Sequence, residues 1–158
     1  MSRVAVYAGS FDPVTLGHED IVKRAATMFD TLYVGVGVNS SKAPFLPTAD
    51  RLALLRESFS GVENVHVTEF SGLLVNFCNM CGAKFIVRGI RALTDFEYEL
   101  VIAHANTTQA PGVETIFLAT SPNLSFVSSS VVRELVKHGG DISYFVGPHV
   151  AERLKAKP

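Results

Sequence analysis

The segment Gly9-Ser10-Phe11-Asp12-Pro13-Val14-Thr15-Leu16-Gly17-His18 holds the densest chemistry in the chain. Its two glycines permit close approach of a ligand to the backbone. His18 precedes Ile21 and Val22, which begin an apolar helical stripe, by three and four residues, so the imidazole shares their side. It also sits at the positive end of that helix, where an anion is favoured. From spacing alone, His18 reads equally well as a half-buried histidine closing a loop. The segment lacks Gly-x-x-x-x-Gly-Lys-Ser/Thr, which excludes a P-loop, and lacks Gly-x-Gly-x-x-Gly, which argues against a dinucleotide fingerprint.

Three further groups carry possible chemistry. Arg88 and Arg91 directly follow an apolar run, where their guanidinium forks can grip phosphate oxygens or simply lie in solvent. Ser128, Ser129 and Ser130 put hydroxyls and unpaired amides at a helix start; one serine suffices as a cap, and three in a row favour an anion site. Lys42, in the loop Ser40-Ser41-Lys42-Ala43-Pro44, is the weakest of these by spacing, because a lone loop lysine is commonly just solvated. Cys78 and Cys81 suggest a redox pair or half a zinc site, but no further ligands lie nearby and both readings are set aside. Leu74, Phe77, Cys78 and Cys81 follow helical spacing, which places both thiols on an apolar face as core or pocket residues.

The elements that must position these groups alternate. Apolar runs at Val4 to Ala8, Leu32 to Val38, Val65 to Val67, Phe85 to Val87 and Thr115 to Leu118 read as strands. Helical stripes follow them: Ile21, Val22, Ala25, Met28 and Phe29; then Leu52, Leu55 and Phe59 behind Thr48 as cap; then the cysteine helix. A fourth helix is predicted to start at a capping box formed by Thr94 and Glu97, with Glu99, Ile102 and Asn106 on one face. A fifth runs from about Ser128 to Lys137-His138-Gly139-Gly140, and a short one begins near Pro148. Strand-then-helix units in series imply an α/β fold: a single-domain, Rossmann-like, doubly wound five-stranded parallel sheet with helices on both faces, spanning residues 1–158. In such sheets ligands bind outside the carboxyl ends of the strands, where strand order reverses.

Composition agrees with a modest globular domain. At 158 residues and 47% hydrophobic, the chain can bury one good core. Lys plus Arg at 14 against Asp plus Glu at 15 gives a net charge of −1, so nucleic-acid binding by bulk charge is not expected. No run reaches transmembrane length and the first residues lack a signal-peptide pattern, so no membrane partner and a cytoplasmic location are expected.

Gly9-Ser10-Phe11-Asp12-Pro13 with Thr15-Leu16-Gly17-His18 resembles the nucleotidyltransferase signature G-[ST]-F-D-P-x-[TH]-x-G-H. Arg88-Gly89-Ile90-Arg91-Ala92 with Asp95-Phe96-Glu97-Tyr98-Glu99 resembles the corresponding segment of the phosphopantetheine adenylyltransferases of the bacterial type. So does Ser125-Phe126-Val127-Ser128-Ser129-Ser130, and the resemblance covers essentially the whole chain. It implies transfer of AMP from ATP to 4'-phosphopantetheine, yielding dephospho-coenzyme A and pyrophosphate, with Mg²⁺ carried mainly on the ATP phosphates and assembly as a homohexamer.

By the same resemblance Ser10, Lys42, Leu74, Arg88 and Asn106 meet phosphopantetheine. Ser10, Phe11, His18, Gly89, Ile90, Arg91, Glu99, Leu124, Ser125, Phe126, Val127, Ser128, Ser129 and Ser130 line the ATP site, and His18, Ser10, Lys42 and Arg91 act in catalysis. No protein metal ligands are implied. The chain departs from the family pattern at Ala8, Ser10, Thr120, Leu124, Ala105 and Thr107, which bears on acceptor affinity. Rival readings are a related transferase acting on another phosphate acceptor, such as nicotinate mononucleotide, and a silent nucleotide-binding regulator.

Overall fold

The computed structural model describes residues 1–41 and 43–156. Strands β1 (Val4–Gly9), β2 (Thr31–Gly37), β3 (Val65–Phe70), β4 (Phe85–Ile90) and β5 (Glu114–Ala119) alternate with helices α1 (Leu16–Ala26), α2 (Thr48–Ser58), α3 (Leu74–Cys81) and α4 (Leu93–Gln109). A 3₁₀ turn (Pro122–Leu124) and helices α5 (Ser129–Lys137) and α6 (Pro148–Lys155) complete the chain. All strand pairs are parallel, in the order β3-β2-β1-β4-β5. The order reverses between β1 and β4, which puts the expected ligand crevice beyond Gly9 and Ile90.

The central strands alternate strictly. Ala5 and Tyr7 of β1 join the side chains of Ile21, Val22, Ala25, Leu54, Leu55, Val132, Val150 and Leu154, the inward residues of α1, α2, α5 and α6. Val6 and Ala8 face the other way, onto Phe77 and Cys78 of α3. The sheet thus separates two apolar layers, which is why its middle reads as a nearly continuous apolar run. Gly35 marks how closely the second layer approaches: a Cβ there would lie 2.6 Å from the Phe77 ring, which stacks on Phe70 at 4.7 Å. Cys78 is fully buried in this layer and Cys81 packs against it, as their spacing predicts. Burial holds the Cys78 thiol up at about 11, with Cys81 adding to the shift.

Several boundaries differ from the sequence reading. The first helix ends at Ala26, because Thr27 turns the chain with its hydroxyl on the Arg24 carbonyl (2.8 Å), and Met28 stays exposed. Thr48 is not a cap but the first residue of α2 after Pro47, and its hydroxyl accepts from Arg51 Nη2 at 3.0 Å. The predicted capping box of Thr94 and Glu97 does not form: the cap lies two residues earlier, at Ala92, and α4 begins at Leu93. Asp95 instead accepts from the amide of Arg91, the residue before the cap, at 3.1 Å. At α5 the expectation holds, with Ser128 Oγ accepting from Val131 N at 3.2 Å. No described helix is long and apolar enough to cross a membrane.

Candidate active site

The first loop is held open from below. Phe11 has φ of +48°, an unusual conformation for a side chain of this size, and its ring is buried edge-on against Tyr7 (5.6 Å) and His18 (4.9 Å). The Asp12 carboxylate accepts from Phe45 N and Leu46 N, both at 2.7 Å, tying this loop to the one after β2. Arg51, buried on α2, donates to the Ser10 carbonyl (2.8 Å) and the Leu46 carbonyl (3.1 Å). Ser10 is therefore presented by a backbone that cannot easily shift.

At the start of α1, Thr15 and His18 cap each other. Thr15 Oγ1 accepts from His18 N (3.4 Å), and the Thr15 amide donates to His18 Nδ1 (3.0 Å). A histidine takes the place usually held by Glu or Gln in a capping box. Burial lowers its pKa to about 4, with Arg91 and Arg88 pushing the same way. The ring is neutral near pH 7, and because Nδ1 is an acceptor, the proton resides on Nε2. His18 thus reaches the cavity as a fixed N–H donor. Leu16 N is taken by the Phe145 carbonyl at 2.8 Å, while Gly17 N has no partner among the described residues.

A cleft of about 520 Å³ lies at the expected crevice, lined by the ends of β1 and β4 and the start of α5. It brings together Ser10, His18, Arg88, Gly89, Arg91, Glu99, Val127, Ser128, Ser129 and Ser130. Leu74 and Asn106 line a smaller adjoining cavity of about 160 Å³, which shares Arg88, Tyr98 and Glu99 with the larger one. Phe11 lies beneath the floor. Ile90, Leu124, Ser125 and Phe126 do not line the cleft; Ser125 Oγ turns to the Pro122 carbonyl (3.0 Å) and Phe126 packs edge-on against Phe145. Lys42 lies outside the described residues.

The arginines differ from a simple phosphate grip. Arg88 makes a two-pronged pair with Glu99 (2.7 and 2.6 Å), and its Nη1 donates to the Ala8 carbonyl at 2.8 Å. Burial works against the Arg88 charge, but Glu99 outweighs it and the net shift is upward. The fork that reads from sequence as open to a ligand is thus occupied by a carboxylate. Arg91 keeps more freedom: Nε meets Asp95 (3.2 Å) and Nη1 the Val127 carbonyl (2.9 Å), while Nη2 has no hydrogen bond among the described residues. Neither Asp95 nor Glu99 is unpaired, and no group of three or more His, Cys, Asp or Glu converges among the described residues.

The sequence reading places none of Tyr7, Thr94, Asp95, Tyr98 and Thr120 in the site, yet all five line the cleft. It also passes over Asp12, Arg51 and Arg133 as supports of the loops. Arg51 carried a signal, since it falls on the buried stripe of α2 four residues before Leu55. The whole arrangement, with helix amides, a neutral donor and arginines at one crevice, suits a polyphosphate and the charge it gains in reaction.

Comparison with known proteins agrees with this chemistry. Residues 6–135 match the family described as cytidylyltransferase-like. A relative named phosphopantetheine adenylyltransferase from Nitrosomonas eutropha is 48% identical over 96% of this chain and 93% of its own length. One of the same name from Caldanaerobacter subterraneus is also 48% identical, over 98% of this chain and 97% of its own. Among solved structures, a protein provisionally named nicotinate-nucleotide adenylyltransferase from Vibrio parahaemolyticus superposes with a TM-score of 0.74. It is 18% identical and covers 98% of this chain and 93% of its own. That likeness establishes the fold.

The His18 environment sets a testable pH response. Well above 6.5 the imidazole is neutral folded or unfolded, and stability is unaffected by it. As pH falls from 6.5 toward about 4, the unfolded chain takes up a proton that the folded chain refuses, so stability declines across that window. Carbon-edited NMR of the imidazole should give a midpoint near 4, whereas the ordinary 6.5 would remove both the burial and the tautomer argument.

Proposed function

The chain belongs to the phosphopantetheine adenylyltransferase family, and from that premise we propose that it transfers the adenylyl group of ATP to 4'-phosphopantetheine, giving dephospho-coenzyme A and pyrophosphate. The observation that carries the reading is the meeting of three phosphate-suited segments, the first loop, Arg88 to Arg91 and the serines of α5, at the switch point of the sheet. The cleft volume is in the range of small-molecule sites.

The acceptor's phosphate oxygen attacks the α-phosphorus in line, and the bond to the bridging oxygen of pyrophosphate breaks. A phosphate is already ionised near neutral pH, so no general base is required and no covalent enzyme intermediate forms. The protein's tasks are alignment and charge neutralisation. His18 Nε2–H donates to oxygens whose charge grows in the transition state. Ser10 orients the attacking phosphate, Lys42 and Arg91 offset negative charge, and the α5 terminus holds the β- and γ-phosphates. Leu74 and Asn106, across the Arg88–Glu99 pair, receive the pantetheine arm. Mg²⁺ enters with ATP as part of the substrate, because the cleft carboxylates Asp95 and Glu99 are engaged by arginines.

Assembly as a homohexamer follows from the same family reading. Its support is α4, which buries only Ala103 among its residues and leaves Leu93, Tyr98 and Val101 exposed. A cytoplasmic location fits two cysteines that are both free thiols.

Purified protein with Mg-ATP should release pyrophosphate with 4'-phosphopantetheine and not with nicotinate mononucleotide or glycerol 3-phosphate. His18→Ala should lose roughly 10²–10³ in kcat while keeping its fold. Turnover with a different acceptor would overturn the substrate, and a change in kcat below about threefold would overturn the role of His18. Sedimentation equilibrium should give six times the chain mass of 17.1 kDa; a monomer at micromolar concentration would contradict the hexamer.

A further inference from the structure

The three serines at the start of α5 are not equivalent, and their hydrogen bonds separate them. Ser129 Oγ donates to the Pro13 carbonyl at 2.8 Å, so its proton is already engaged. Ser128 Oγ accepts from Val131 N as the helix cap, a geometry that α5 itself enforces. Ser130 Oγ accepts from Arg133 Nη2 at 3.2 Å. A hydroxyl has one proton, and one that accepts from a guanidinium keeps that proton for another acceptor. Ser130 is exposed and lines the cleft. Its hydroxyl is therefore biased to act as a donor toward an anion there.

The same guanidinium reaches the other wall. Arg133 Nη1 donates to the Asp12 carbonyl at 2.7 Å, and Asp12 is the residue whose carboxylate holds Phe45 N and Leu46 N. One half-buried side chain thus spans the first loop and the α5 terminus, the two segments that must close around a nucleotide's phosphates. Lysine, a single ammonium on a flexible stem, cannot reproduce two fixed prongs. We propose that Arg133 is a positioning residue for adenylyl transfer: it fixes the spacing between the first loop and α5 and turns the Ser130 hydroxyl into a phosphate donor. This rests on the ATP reading above.

The test is a cycle of wild type, Arg133→Ala, Arg133→Lys, Ser130→Ala and the Arg133→Ala/Ser130→Ala double variant. Two readouts are used: calorimetric binding of α,β-methylene-ATP, and kcat with KM for each substrate. Arg133→Ala should weaken analogue binding and raise KM for ATP about tenfold, the order of one charge-assisted hydrogen bond, while KM for the acceptor stays unchanged. The double variant should be no worse than the more damaged single variant, because the two residues act as one unit. Arg133→Lys should recover part of the loss. Unchanged analogue binding, equal rises in both KM values, or full additivity would overturn the proposal. Should Arg133→Ala fail to fold, Arg133→Gln takes its place in the cycle. Wild-type protein that binds the analogue but transfers to no acceptor would sink the proposed reaction, and the calorimetric arm would still decide the role of Arg133.

Discussion

Everything the cleft can do depends on the reciprocal bond between Thr15 and His18. The Thr15 amide occupies Nδ1, so the imidazole cannot rotate freely and cannot present the wrong nitrogen. The same pair caps α1, which couples the ring's orientation to the stability of a helix packed through Ile21 and Val22 against the sheet. Phe11 closes the ring from beneath, and the Phe145 carbonyl fixes the neighbouring amide of Leu16. A donor held in this way costs little reorganisation when charge develops on a nearby oxygen, which is the condition for electrostatic catalysis.

Burial, with Arg91 and Arg88 acting in the same direction, keeps His18 uncharged. Were Arg88 unpaired, the cleft would carry a poorly solvated charge. Glu99 prevents that, and it also forms the wall between the larger cavity and the smaller one beside Leu74 and Asn106. A phosphate arriving at Arg88 therefore meets a neutralised pair, while Arg91 retains a free prong. Net attraction must come as much from the amides of α5 and Gly17 as from side-chain charge.

The architecture was legible because its physics is local. Strand runs and helical stripes are set by apolar periodicity, and the positions of β1 to β5 agree with the sequence reading to within a few residues. The signature loop, the arginines and the serines were legible as types, and they do converge. What stayed hidden were partners distant in sequence. Nothing near Arg88 announces that its fork closes on Glu99, nor that Asp12 reaches the amides of Phe45 and Leu46. The misplaced cap at Thr94 is a local miss of another kind, since Asp95, one residue further on, takes the Arg91 amide and the helix begins at Leu93. Ile90, Leu124, Ser125 and Phe126 belong to the family motifs but not to the cleft lining, because a motif fixes position in sequence and not the direction of a side chain.

The central claim is direct displacement at the α-phosphorus, with a neutral histidine donor and no covalent intermediate. The measurement that tests it most directly is the stereochemical course of the reaction with ATP chirally substituted by sulfur at the α-phosphorus, read by phosphorus NMR of the product. A single in-line attack inverts that centre. Inversion is the predicted result; retention would require two displacements, hence an adenylylated residue, and would contradict the account.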